Sequence, residues 1–173
     1  MGIWGTKLYQ DDVAFDVRDE YINRLKIGQS NIDATQETIN ANADYINDID
    51  YSSVFWFALA ETQWKYGRLL PEVKEKALES IKNQSDLLKW EEDAGLYKKR
   101  VEELQKLEEK LNSPQPPQKK VPKLVLHKAT WKVGDVLLYR LKDERLKESS
   151  WYHKYVLFRV VGISKTNIGN LPR

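Results

Sequence analysis

Val54-Phe55-Trp56-Phe57-Ala58-Leu59-Ala60 decides the fold. The run is apolar on every side rather than along one stripe, so a helix built from it has no face for water and belongs in the middle of other helices. Ser52 or Ser53 can cap its start and Gly67 can end it. A membrane span needs about 20 such residues, far more than this run supplies. Trp56 and Trp64 fall on the same helix and are expected in the core.

Outward from this centre, helix patterns continue on both sides. On the N-terminal side, Asp11 or Asp12 can cap a helix to about Ile27, with Val13, Val17, Tyr21 and Leu25 spaced by four and Gly28 as the stop. A second helix is predicted from about Asp33 to Ile46, with Ile32, Ile39, Ala43 and Ile46 as its stripe, and Asn47-Asp48-Ile49-Asp50 as the turn after it. Trp4, between Gly2 and Gly5, is expected to plug the bundle. On the C-terminal side, Pro71, Glu72 and Glu75 suit a helix start. Val73, Ala77, Leu78 and Ile81 follow as its stripe. Asn83-Gln84-Ser85-Asp86 interrupts, and Ser85 or Asp86 can cap a short turn through Trp90. A last helix is predicted from about Ala94 to Asn112, with Tyr97, Val101, Leu104, Leu107 and Leu111 facing inward and Glu102–Lys106 as an i,i+4 pair.

The character changes after residue 113. Ser113-Pro-Gln-Pro-Pro-Gln-Lys-Lys-Val-Pro122 places four prolines in nine positions, which forbids helix and favours an extended spacer. Leu124-Val125-Leu126, Val136 to Leu141 and Tyr155 to Val161 then read as strands, with Trp131-Lys132-Val133-Gly134-Asp135 as the entry turn of the middle one. Lys142 to Ser150 connects the last two and has room for a helical turn. Three strands close a poor core, and Asn170-Leu-Pro-Arg173 brings no closing element. The expectation is a partial barrel, either truncated or continuing past residue 173. The fold class is therefore mainly α: an acidic bundle of five or six helices over 1–113, a Pro/Lys-rich linker over 114–123, and a basic β-rich module over 124–173.

Charge divides at the same boundary. The chain carries +2 overall, but residues 1–113 hold 15 basic and 22 acidic side chains, and residues 114–173 hold 13 and 4. Such a split suits either two halves that attract each other or one half that presents its charge to a partner. With no cysteine, disulfides and thiolate sites are excluded. The start has no apolar stretch of a signal peptide, which predicts a cytoplasmic chain with no membrane association.

Catalytic motifs are missing. Gly-x-Ser-x-Gly, a phosphate loop and Gly-x-Gly-x-x-Gly do not occur. The two histidines, His127 and His153, each have a lysine beside them and carry no metal-site pattern, so neither a metal nor a cofactor is expected. Asp11, Asp12, Asp16, Asp19 and Glu20 are the richest carboxylate group. On a helix, Asp12, Asp16, Asp19 and Glu20 share a face, which reads first as a solvated surface and second as a docking surface for a basic protein. Trp151 and Tyr152 are candidate surface anchors for the same purpose. Lys128, Lys132, Arg140, Lys154 and Arg159, interleaved with aromatics, are the candidate residues of an alternative, a nucleic-acid-binding module.

Two stretches carry resemblances. Met1-Gly2-Ile3-Trp4-Gly5-Thr6, followed by Tyr9-Gln10-Asp11-Asp12-Val13-Ala14 and Asp16, resembles a family of uncharacterised bacterial proteins that open Met-Gly-x-Trp-Gly and continue Asp-Asp-x-Ala-x-Asp. The run from Val54 to Leu69 is similar to the longer members. This resemblance implies a fold and no activity. Trp131-Lys132-Val133-Gly134-Asp135-Val136 with Tyr155 to Val160 is similar to the small β-barrels of some polymorphic-toxin immunity proteins. Together with the missing catalytic residues, it implies a non-enzymatic protein of the toxin-immunity or bacterial-conflict type, acting by covering a protein partner's surface. Neither resemblance fixes an oligomeric state.

Overall fold

A computed structural model describes residues 4–125, 130–166 and 169–172. The chain forms two compact units, Met1–Lys123 and Leu124–Arg173.

The first unit is a helical bundle. Its helices are α1 (Asp12–Lys26), α2 (Asn31–Ala41), α3 (Ala43–Asn47), α4 (Ser52–Lys65), α5 (Pro71–Lys82) and α6 (Ala94–Asn112), with a 3₁₀ segment at Ser85–Trp90 between the last two. As its sequence requires, α4 is central: it packs against α1, α3, α5 and α6. Phe55, Phe57, Ala58, Leu59 and Ala60 on it are fully buried. Burial continues into the polar end of α4, where each polar group finds a partner. Gln63 donates to the Thr35 hydroxyl and accepts from the Leu70 amide, at 2.7 and 3.0 Å. Trp56 and Trp64 are half-buried at the edge of this core rather than inside it.

Three helices of this unit are capped by side chains, whereas α4, for which Ser52 or Ser53 was the expected cap, follows Tyr51 with no side-chain cap. Asp11 caps α1 through the Val13 amide, Ser30 caps α2 through the Asp33 amide, and Asp93 caps α6 through the Gly95 and Leu96 amides. The second predicted helix is in fact two, broken at Asn42. Its inner face keeps only part of the expected stripe: Ile39 and Ile46 pack on the core, and Ala43 is exposed. Ile32 is exposed, and Ala34, Thr35 and Thr38 are buried instead. Lys106 pairs with Glu103, not Glu102. Trp4 is 57% exposed and does not plug the bundle; it stacks on Phe15 at 6.2 Å.

The proline-rich stretch forms neither helix nor strand, yet it is held against the bundle. The Lys119 amide donates to the Tyr66 carbonyl at 3.0 Å, and the Gln115 side chain accepts from the Leu69 amide at 2.9 Å. Val121 packs on the core. A side chain at Gly67 (φ +65°) would lie 2.3 Å from the Pro116 carbonyl, so the glycine there permits both the turn and the close passage of this strap.

The second unit holds two antiparallel ladders. β1 (Val136–Arg140) pairs with β2 (Tyr155–Arg159), with Val136 opposite Arg159 and Arg140 opposite Tyr155. β3 (Ile163–Thr166) pairs with β4 (Gly169–Pro172). β4 falls on Asn170-Leu-Pro172, where no closing element was expected. The two ladders are separate among the described residues and make no barrel. Leu124 and Val125 are not in a strand; Leu126, His127 and Lys128, like Met1 to Ile3 of the opening motif, lie outside the described residues.

Candidate interaction surface

The β1–β2 hairpin is built by its turn chemistry. Gly134 takes φ +99° at the entry turn, which only glycine adopts without strain. Asp135 closes that turn: its carboxylate accepts from the Lys132 amide at 2.8 Å, and its own amide donates to the Lys132 carbonyl. At the far end the Leu141 amide donates to the Lys154 carbonyl, and the His153 amide to the Leu141 carbonyl. The connection carries a 3₁₀ turn, Glu144–Leu146, capped by Asp143. The Arg145 guanidinium beside Asp143 holds that carboxyl below its ordinary range.

Directly paired residues share a face. One face therefore carries Val136, Leu138 and Arg140 beside Tyr155, Leu157 and Arg159. The other carries Leu137, Tyr139, Val156 and Phe158. On the first face Val136, Leu138, Tyr155 and Leu157 are all 57–68% exposed. On the second, Tyr139 and Phe158 are exposed and Leu137 and Val156 half-buried. Residues 124–163 hold thirteen of the nineteen large apolar side chains that the described residues expose. That concentration differs from the singly scattered apolar exposure of an ordinary exterior.

The charge on the two strands is one-signed, while Asp135, Asp143, Glu144 and Glu148 lie in the entry turn and the connection. Neither strand contains a carboxylate. Arg140 and Arg159 stand at opposite ends of the first face, with Arg140 held by the His153 ring nitrogen at 2.8 Å and lying 5.9 Å from the Tyr155 ring. Lys154 lies 5.5 Å from the Trp151 ring. Trp151 is 60% exposed, and Tyr152 packs edge-on against His153. Arg140 and Arg159 thus share a face, Lys132 belongs to the entry turn, and Lys154 accompanies Trp151 in the connection. The aliphatic centre of the hairpin was not among the expected site residues. Its signal was legible: Val136-Leu137-Leu138-Tyr139 and Val156-Leu157-Phe158 have no polar alternation, and a two-stranded ladder cannot bury both faces.

The acidic residues of α1 are divided among several tasks. Asp11 is buried at the helix cap. Burial pushes its carboxyl up, against the Val13 amide and the charges of Lys89 and Arg100. Glu20 pairs with Arg24 and accepts from Asn42. Asp19 pairs with Arg18. Asp12 and Asp16 remain near Tyr45, whose hydroxyl is pushed up by burial and by the charges of Asp16, Tyr51, Asp11 and Asp12. Among the described residues no three His, Asp or Glu side chains converge as metal ligands. No described helix is long and apolar enough to cross a membrane. Compared with family models, with curated proteins and with solved structures, the chain matches none.

Proposed function

We propose that this chain is a non-catalytic binding protein that covers the surface of an acidic protein partner with its β1–β2 hairpin. The observation that carries the reading is the exposed face of Val136, Leu138, Tyr155 and Leu157 between Arg140 and Arg159. An apolar centre inside a charged rim is the anatomy of a protein interface, in which Arg, Tyr and Trp supply most of the energy. Trp151 and Tyr152 extend the face at one end. Among the described residues the ladder also has unpaired edges, which a partner strand can extend. The absence of carboxylates on the strands favours a negatively charged partner and fast association. A toxin-immunity or bacterial-conflict protein acts by covering of this kind.

Nucleic acid is the competing ligand for the same basic residues. The aliphatic centre argues against it, because bases stack on aromatic rings rather than on leucine and valine.

The test is capture from host lysate with and without nuclease, comparing the wild type with Leu138→Glu/Leu157→Glu and Asp16→Lys/Asp19→Lys. The expected result is an acidic protein retained after nuclease, lost with the hairpin variant and kept with the α1 variant. Recovery of nucleic acid alone, released by moderate salt, would move the function to the alternative. A protein lost only with the α1 variant would place the interface on the acidic helix.

A further inference from the structure

A second, unrelated feature lies in the helical unit. Tyr9, Arg18, Ile22, Thr62, Lys65 and Tyr66 line a cavity of about 520 Å³, and Lys119, Lys120 and Pro122 of the strap complete it. Four cations from α1, α4 and the strap meet at one opening. We propose that this cavity is a binding site for a small phosphate monoester whose apolar part lies against Tyr9, Ile22 and Pro122.

The charge balance selects the ligand. Arg18 is paired with Asp19 at 2.8 Å, and Lys65 with Glu61 at 3.1 Å. Lys119 and Lys120 have no carboxylate partner among the described residues. Two cations are thus left without a counter-charge, and a phosphate monoester brings about −1.5 to −2 at neutral pH. A carboxylate would match only half of that.

Aromatic rings hold the cations in place without neutralising them. Lys65 lies 4.7 Å and Arg18 5.3 Å from the centre of the Tyr9 ring, and Lys119 lies 5.9 Å from that of Tyr66. The Lys119 backbone is fixed on both sides: its amide donates to the Tyr66 carbonyl, and its carbonyl accepts from Arg68 at 3.2 Å. Tyr9 shares a hydrogen bond of 3.0 Å with Thr62. Burial and the charge of Glu61 push the Tyr9 hydroxyl up, which keeps it a phenol. The volume falls within the range of small-molecule sites.

Calorimetric titration of the full chain with phenyl phosphate, at low and at moderate salt, tests this assignment. Saturable binding is expected, weakened about tenfold or more by Lys119→Ala/Lys120→Ala. The matched control is Lys98→Ala/Lys99→Ala, two exposed lysines of α6, which should leave the affinity unchanged. Inorganic phosphate should bind more weakly, because it makes no use of the apolar wall. Absence of saturable binding to the wild type overturns the proposal. So does equal weakening by the two double variants, which would mean diffuse attraction to a basic surface. Phenyl phosphate binding no tighter than inorganic phosphate removes the apolar wall from the site.

Discussion

Arg100 ties the N-terminal segment to the bundle. It is 3% exposed, donates twice to the buried Asp86 carboxylate at 2.6 and 3.0 Å, and donates once to the Thr6 carbonyl at 2.8 Å. Removing one partner of such a pair leaves a charge with neither water nor counter-ion. Asp86→Ala should therefore destabilise the helical unit by about 3–5 kcal/mol in urea unfolding. Asp86→Leu with Arg100→Met should recover much of that loss. Glu61 gives a pH signature. Burial pushes its carboxyl up, but the hydrogen bond from Lys110 and the charges of Lys65 and Lys110 outweigh this and hold it low. A carboxyl lowered on folding contributes stability above its unfolded value and loses it as pH falls through its folded value. Melting temperature should accordingly fall on acidification through and below the ordinary glutamate range, and Glu61→Gln should flatten that limb. Asp11, raised by burial, works in the opposite sense: its contribution is present below its unfolded value and fades as pH rises through the folded one.

At the scale of elements, the helices were legible where apolar side chains carry the period. α1, α5 and α6 follow their stripes because valine, alanine and leucine face the core, and α4 is buried on nearly every side as its apolar run requires. α2 was misread because its inner face is small and polar. Thr35 and Thr38 return their hydroxyls to the carbonyls of Asn31 and Ala34, both at 2.7 Å, and so can be buried while Ile32 is not. Hydrophobicity alone cannot see a threonine that satisfies itself. The strap forms no helix, as its prolines require, but its docking depends on Gly67 and Tyr66, some fifty residues away, and no local pattern announces such a contact. The phosphate site was invisible for the same reason: Tyr9, Arg18, Lys65 and Lys119 meet only in the fold. Gly67→Ala tests the strap. It places a side chain at φ +65° and against the Pro116 carbonyl, and should cost about 2–3 kcal/mol. Trypsin should then cut after Lys119 and Lys120 well before the helices are digested.

The first unit contains one large core, and the described residues of the second unit contain very little. Among the described residues of the second unit, Val160 is the one buried apolar side chain. An isolated two-stranded ladder is marginal in water. Hydrogen exchange should therefore find the β1–β2 amides weakly protected and those of α4 exchanging only through global unfolding. Binding of the partner should raise protection in β1 and β2 first. The hairpin was half legible from its sequence. Its strands and entry turn were evident, but the lack of a core beneath it was not, because apolar strands ordinarily announce their own burial.

The unpaired ladder edges bring a cost beyond recognition. Backbone amides and carbonyls along an edge pair as readily with another copy of the same strand as with a chosen partner. Arg140 at the end of β1, with Lys154 and Arg159, brings like charge against like in a self-pairing, which slows aggregation without forbidding it. The hairpin thus makes gene dosage a physical variable. If the hairpin covers a partner as proposed, copies of the chain in excess of that partner are left with adhesive edges and only a few positive charges to keep them apart.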